Sequence, residues 1–241
     1  MKTLRTIGLL FVMLAVTAGV SAQNFEGKIR FKMIGQERPS RNTSSDSTSF
    51  MTQYIKGGMI RVDMEMDGGR MMGGMIMDTA KREMTMLMVE QKMYMVMKMP
   101  EPKPTADTAA SQSDVELIRT GETETILGYK CEKMIVKNKN GETDVWGAEG
   151  LGTYQSMAAG GPMGRPAPKS AWEAALAERG FFPLRVVSKD KSGKEVMRME
   201  AVSLDKQSLP DSTFLPPADF QKFSMPSIPG LSGMNPFGSK S

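Results

Sequence analysis

The chain has 241 residues, with 31 Lys and Arg against 27 Asp and Glu, one cysteine and no histidine. The missing imidazole excludes Ser-His-Asp and Cys-His catalysis, the commonest zinc and copper(II) ligand, and the usual proton shuttle near neutral pH. Cys131 has no partner for an intramolecular disulfide and no carboxylate pair stands out by spacing, so the expectation is a protein that is not an enzyme and carries no cofactor.

Residues 1–22 read as a secretory signal: Lys2 and Arg5, an apolar run from Ile7 to Val16, and the small residues Val20-Ser21-Ala22 before the cut. Gln23 then opens the mature chain, and it cannot take the lipid that a cysteine thiol would receive there. The apolar run is shorter than the roughly 20 residues of a membrane-spanning helix, and no later stretch qualifies. The expected location is therefore periplasmic or secreted, and the protein is not integral to a membrane. Without the signal the balance is 29 basic to 27 acidic residues, which gives no support to a nucleic-acid partner.

Residues 23–223 suffice for a single β-rich domain. Phe25-x-Gly27-x-Ile29-x-Phe31-x-Met33 alternates with the period of a half-buried strand. A polar stretch near 35–48 reads as a loop. Short runs follow, from Phe50 to Lys56, Met59 to Met66, Arg70 to Asp78, Arg82 to Val89 and Lys92 to Met99, separated by turn signals such as Gly57-Gly58 and Asp67-Gly68-Gly69. A Pro-, Ala- and Thr-rich segment near 100–113 reads as a second loop.

Alternation resumes at Val115 to Ile126 and Tyr129 to Lys137, and Asn140-Gly141 signals a hairpin into Thr143 to Trp146. The segment 150–169, with Gly160-Gly161-Pro162, reads as a third loop. Ser170 and Glu173 form a capping box for a short helix that Gly180 ends. Phe182 to Lys189 and Glu195 to Leu204 are the last two strand patterns, and 224–241 reads as a disordered tail. The fold class expected is mainly β, a single antiparallel sheet of roughly ten or eleven strands with one short helix.

Of 25 methionines, 14 lie between Met59 and Met99. Met84, Met86 and Met88 alternate along one run, and Met93, Met95, Met97 and Met99 along the next, so a hairpin of the two would gather the thioethers on one face. One reading is an ordinary core, since thioether side chains bury well. A second is an adaptable apolar site, because a side chain with three rotatable bonds fits many shapes. A third is a copper(I) or silver(I) site at Met84, Met86, Met93 and Met95, because soft thioethers select soft ions. A fourth is an oxidant sink.

The remaining candidates are weaker. Cys131 is either a small core residue or a thiol activated by Lys130 or Lys133. Asp63 with Glu65, and Glu122 with Glu124, fit solvated strand faces. Gly57-Gly58 and Gly73-Gly74 lack the Gly-Lys-Ser context of a phosphate loop. Trp146 and Trp172 read as packing or as the rim of a cavity. Asn42-Thr43-Ser44 matches a glycosylation acceptor, a short and common pattern.

Several pieces together resemble an exported bacterial family, the domain-of-unknown-function family numbered 4412. They are Phe25-Glu26-Gly27-x-Ile29, Tyr54-Ile55-Lys56-Gly57-Gly58-Met59-Ile60-Arg61, Gly121-Glu122-Thr123-x-Thr125-Ile126-x-Gly128-Tyr129-x-Cys131, Trp146, Phe182-Pro183-Leu184 and Phe214-x-Pro216. Such proteins are similar in outline to periplasmic lipoprotein carriers. That resemblance implies an open, curved antiparallel half-barrel over an apolar cavity, lipoprotein-carrier-like, and no activity to transfer. The resulting expectation is a non-enzymatic binding protein whose apolar face, Met84, Met86, Met88, Met93, Met95, Met97 and Met99, takes an acyl chain, a lipidated protein or another amphiphile. The copper(I) buffer and an envelope structural or interaction protein are the alternatives.

Overall fold

In the computed structural model of the chain, the described residues are 25–35, 48–66, 68–99, 116–139, 141–152, 154, 172, 173, 176 and 180–223. The expected signal, the glycosylation acceptor, most of the three loops, Asn140 and the tail from 224 fall outside them.

Each alternating run is a strand: β1 Gly27–Gly35, β2 Thr48–Lys56, β3 Met59–Met66, β4 Met71–Asp78, β5 Glu83–Met88, β6 Met93–Lys98, β7 Glu116–Ile126, β8 Tyr129–Asn138, β9 Gly141–Ala148, β10 Phe182–Asp190 and β11 Glu195–Lys206. A two-residue strand that the sequence does not announce, β12 Gln221–Lys222, follows a 3-10 turn at Asp211–Phe214. Of the helix expected after Ser170, Trp172, Glu173 and Leu176 are described, and they are helical. Among the described residues no helix is long and apolar enough to cross a membrane.

All twelve strands form one open, curved sheet in the order β12-β6-β5-β4-β3-β2-β1-β11-β10-β9-β8-β7. Two antiparallel meanders are joined where β1 pairs with β11, from Gly27 opposite Lys206 to Gly35 opposite Met197. The turns follow local chemistry. Gly57 and Gly58 link β2 to β3, whereas Leu127 and Gly128, both with positive φ, make the tight turn between β7 and β8. Register shifts interrupt five of the pairings, including those at Arg30/Phe31 and Pro183/Arg185, and extra residues of this kind bend and twist a sheet. Pro183 sits at such a shift, where a strand tolerates a residue without an N–H.

The two faces of the first meander differ. One carries the main core, in which Ile29, Phe31, Met51, Val62, Met75 and Met77 are buried together with Val145, Val186, Trp172 and Leu176. Tyr154 bridges strand and helix there, its ring 5.6 Å from those of both Trp172 and Phe182. Burial, reinforced by Glu173, pushes its phenol well above the usual tyrosine range, so it stays neutral and points its hydroxyl at Met199 Sδ, 3.6 Å away.

The outer face carries a smaller cluster, Ile76, Leu87, Leu209 and Phe214. It forms because the chain after β11 runs back across the sheet as a strap. Lys56 Nζ donates to Leu209 O at 2.6 Å, Glu26 Oε1 accepts from Leu209 N at 2.7 Å, and Arg61 Nη1 donates to Thr213 O at 3.0 Å. The strap ends as β12, which pairs in parallel with β6 through Gln221 and Met93. It thereby covers the start of the β6 edge, at Met93 and Tyr94, where N–H and C=O groups would otherwise be open to another strand.

Candidate functional site

The meander brings the expected thioethers onto one face, with a pairing that the sequence leaves open. The turn between β5 and β6 sets Met84 opposite Met97, Met86 opposite Met95 and Met88 opposite Met93. On the other side of β5, Met84 faces Met77 and Met86 faces Met75. Three strands therefore carry two parallel rows, Met77-Met84-Met97 and Met75-Met86-Met95, with neighbouring Cβ atoms about 5 Å apart.

Burial falls along each row toward the edge. Met75, Met77 and Met84 are 2%, 2% and 4% exposed and belong to the main core, whereas Met86, Met88, Met93, Met95 and Met97 are half-buried. Met97 and Met99 pack against that core from its rim. The face anticipated for a ligand thus divides. Met84 is core, and the other six named residues are partly open.

Gly73 breaks the third row. It lies opposite Met64 on β3 and near the Met88–Met93 pair, and it puts no side chain into the wall. A Cβ built there would touch only Leu87 O, at 3.5 Å, so a notch opens between Met64 and Met88.

Gly74 serves the other face. A Cβ there would come within 2.9 Å of Asp63 Oδ1, so the missing side chain makes room for that carboxylate. The expectation that Asp63 is solvated is corrected here, since the residue is only 6% exposed. The strap is the reason: Arg61 Nε donates to both Asp63 oxygens at 2.9 and 3.0 Å while its guanidinium also holds Thr213 O. Burial pushes the Asp63 carboxyl above its usual range, against the pull of Arg61. Glu65, Glu122 and Glu124 keep solvent contact and pair with Arg30, Lys133 and Arg185.

Cys131 is fully buried, and its thiol points at Tyr129 O, 3.5 Å away. Burial pushes it up, the reverse of the activation that Lys130 or Lys133 would supply. Lys133 instead lies over the Trp146 ring at 5.4 Å, and Arg185 lies over it at 5.3 Å. Trp146 is therefore half-buried packing against the main core with two of the protein's own cations over its ring, and Trp172 is core.

A feature that sequence reasoning missed is an open depression of about 420 Å³ beside β7 and β8, with Tyr129 and Phe181 as its aromatic walls and Lys130 and Glu149 among its polar residues. No periodicity signals it, because it depends on how β9 and the segment before β10 meet. Among the described residues no group of three or more thiol, imidazole or carboxylate side chains is placed to hold a metal.

Solved structures of similar outline include an uncharacterized conserved protein from Thermus thermophilus, at 11% identity over 82% of this chain and 90% of that one, with a TM-score of 0.46. The Pseudomonas aeruginosa MucA/MucB complex matches at 13% identity over 85% of this chain and 60% of that one, TM-score 0.45. A putative outer membrane lipoprotein-sorting protein domain from Vibrio parahaemolyticus matches at 9% identity over 79% and 89%, TM-score 0.32. No curated protein matches the sequence. Residues 25–220, the whole of the sheet up to β12, match the family described as Domain of unknown function (DUF4412), and the chain belongs to that family.

Proposed function

We propose that this is an exported, non-enzymatic binding protein whose methionine wall receives the acyl chain of an amphiphile. The observation that carries the reading is the half-exposure of Met86, Met88, Met93, Met95 and Met97 on the same face whose remainder is buried core. A sheet that needed these residues only for packing would enclose them as it encloses Met75 and Met77. Flexible thioethers adapt to a chain of any length or kink, so the site selects apolar shape loosely and does not read a headgroup. Each methylene removed from water contributes about 0.8 kcal/mol, so about ten of them offset a substantial part of the cost of association. The notch at Gly73 is the natural entry.

A fluorescent fatty acid titrated into the full chain tests this. Saturable binding to the unaltered protein is expected. Gly73→Met fills the notch without a backbone clash and should weaken binding at least tenfold, about 1.4 kcal/mol. Met95→Glu places a carboxylate against the acyl chain and should weaken it by at least as much. A folded protein that takes up no probe, or equal affinity in both variants, would remove the reading.

A further inference from the structure

We propose that the same strands hold one soft monovalent cation, copper(I) or silver(I), at Met75, Met86 and Met95. This is a second ligand class and does not depend on acyl binding. The register is the starting point: Met75 faces Met86, which faces Met95, so three thioethers stand in line across β4, β5 and β6. Strands are about 4.8 Å apart, and each side chain has three rotatable bonds, so the three sulfurs can close on a point between them. Residues at i and i+2 on one strand are separated by roughly 7 Å, a poorer starting distance.

That geometry corrects the set read from the sequence. Of Met84, Met86, Met93 and Met95, only Met86 and Met95 oppose each other, whereas Met84 pairs with Met97 and Met93 with Met88.

Burial selects between the two complete rows. Met77 and Met84 are both enclosed, so their row offers one accessible sulfur. In the other row Met75 is the buried floor, and Met86 and Met95 are half-open walls through which an ion can enter. The chemistry selects the ion. Thioethers are neutral and polarizable, so they compete with water for singly charged, soft copper(I) and silver(I) and lose zinc, copper(II) and magnesium to imidazole, carboxylate or water. Among the described residues no such hard-ligand cluster is present to redirect the metal.

The test uses the full chain, loaded anaerobically with copper(I) or with silver(I) and then passed through a desalting column in competition with a chromophoric copper(I) chelator. One equivalent should be retained. Met86→Leu/Met95→Leu keeps apolar volume and removes two of the three ligand atoms, so its affinity should fall at least tenfold with an unchanged circular dichroism spectrum. Met59→Leu/Met72→Leu, which alters thioethers outside the rows, should retain the ion like the unaltered protein. Silver should also shield Met86 and Met95 from sulfoxide formation by peroxide, read peptide by peptide in a mass spectrometer. Where the double variant folds poorly, Met95→Leu alone carries the comparison. No retention by the folded unaltered chain, or equal retention by Met86→Leu/Met95→Leu, would overturn the site. Gly73→Met, which blocks the acyl entry and leaves Met75, Met86 and Met95 in place, should still retain one equivalent of the ion, so failure of the metal site and failure of the acyl site are read separately.

Discussion

Phe31→Ala should lower the unfolding free energy by about 4 kcal/mol, the range for emptying a large buried aromatic site. Phe31 is fully buried and stacks on Phe182 with ring centroids 6.3 Å apart. Its strand, β1, lies between β2 and β11 and is the seam of the two meanders. A cavity there removes contacts from both sides, and the flanking backbone pairing prevents the walls from collapsing into it. Urea unfolding would read the change as a lower midpoint at constant slope. Val202→Ala, on the neighbouring β11 but 44% exposed, should stay within about 0.5 kcal/mol. Similar losses for the two would mean that β1 does not organise the core.

Arg61→Met should cost about 3 kcal/mol at neutral pH, because it strands the Asp63 carboxylate in a buried position and frees the strap at Thr213. The loss should depend on pH with a definite sign. Burial already raises the Asp63 carboxyl above its ordinary value of 3.8, and removing Arg61, which pulls it down, raises it further. A raised folded-state value contributes stability that is fully present below 3.8 and is lost as pH rises through the folded value. The deficit of Arg61→Met should therefore shrink on acidification.

The unaltered protein should follow the opposite trend. Hydrogen bonds hold Asp78, Glu83, Asp190, Glu195, Asp211 and Asp219 below their ordinary values, so their contributions are lost as pH falls past 4.5 and 3.8. Adding Asp63→Asn to Arg61→Met should recover much of the neutral-pH loss. A deficit that is flat with pH would show that the carboxylate is hydrated after all.

The methionine wall shows how far reading from sequence reaches. Period-two alternation placed Met84, Met86 and Met88 on one side of a strand, and Met93, Met95 and Met97 on one side of the next, since side-chain direction is a local property of extended backbone. The partners were not legible. Met88 opposes Met93 because the intervening turn, with Lys92 at φ 49°, sets the register, and a shift by one residue would have sent every sulfur to the other face. Asp63 misled for a related reason. On its own strand it looks like the polar half of an alternation, and its burial comes from the packing at Gly74 and from Arg61, which clamps it while holding Thr213 O from far along the chain.

Local pattern by itself determined the extended runs, their approximate ends and the shared face of the thioethers, because turn chemistry and strand period act over a few residues. Only the tertiary structure decided that β1 closes against β11, that β12 caps β6, and that Met75, rather than Met84 or Met93, completes the line with Met86 and Met95. Those pairings join segments distant in sequence. Closing so long a loop costs entropy that no local motif records, and the matching of whole apolar faces and backbone ladders is what offsets it.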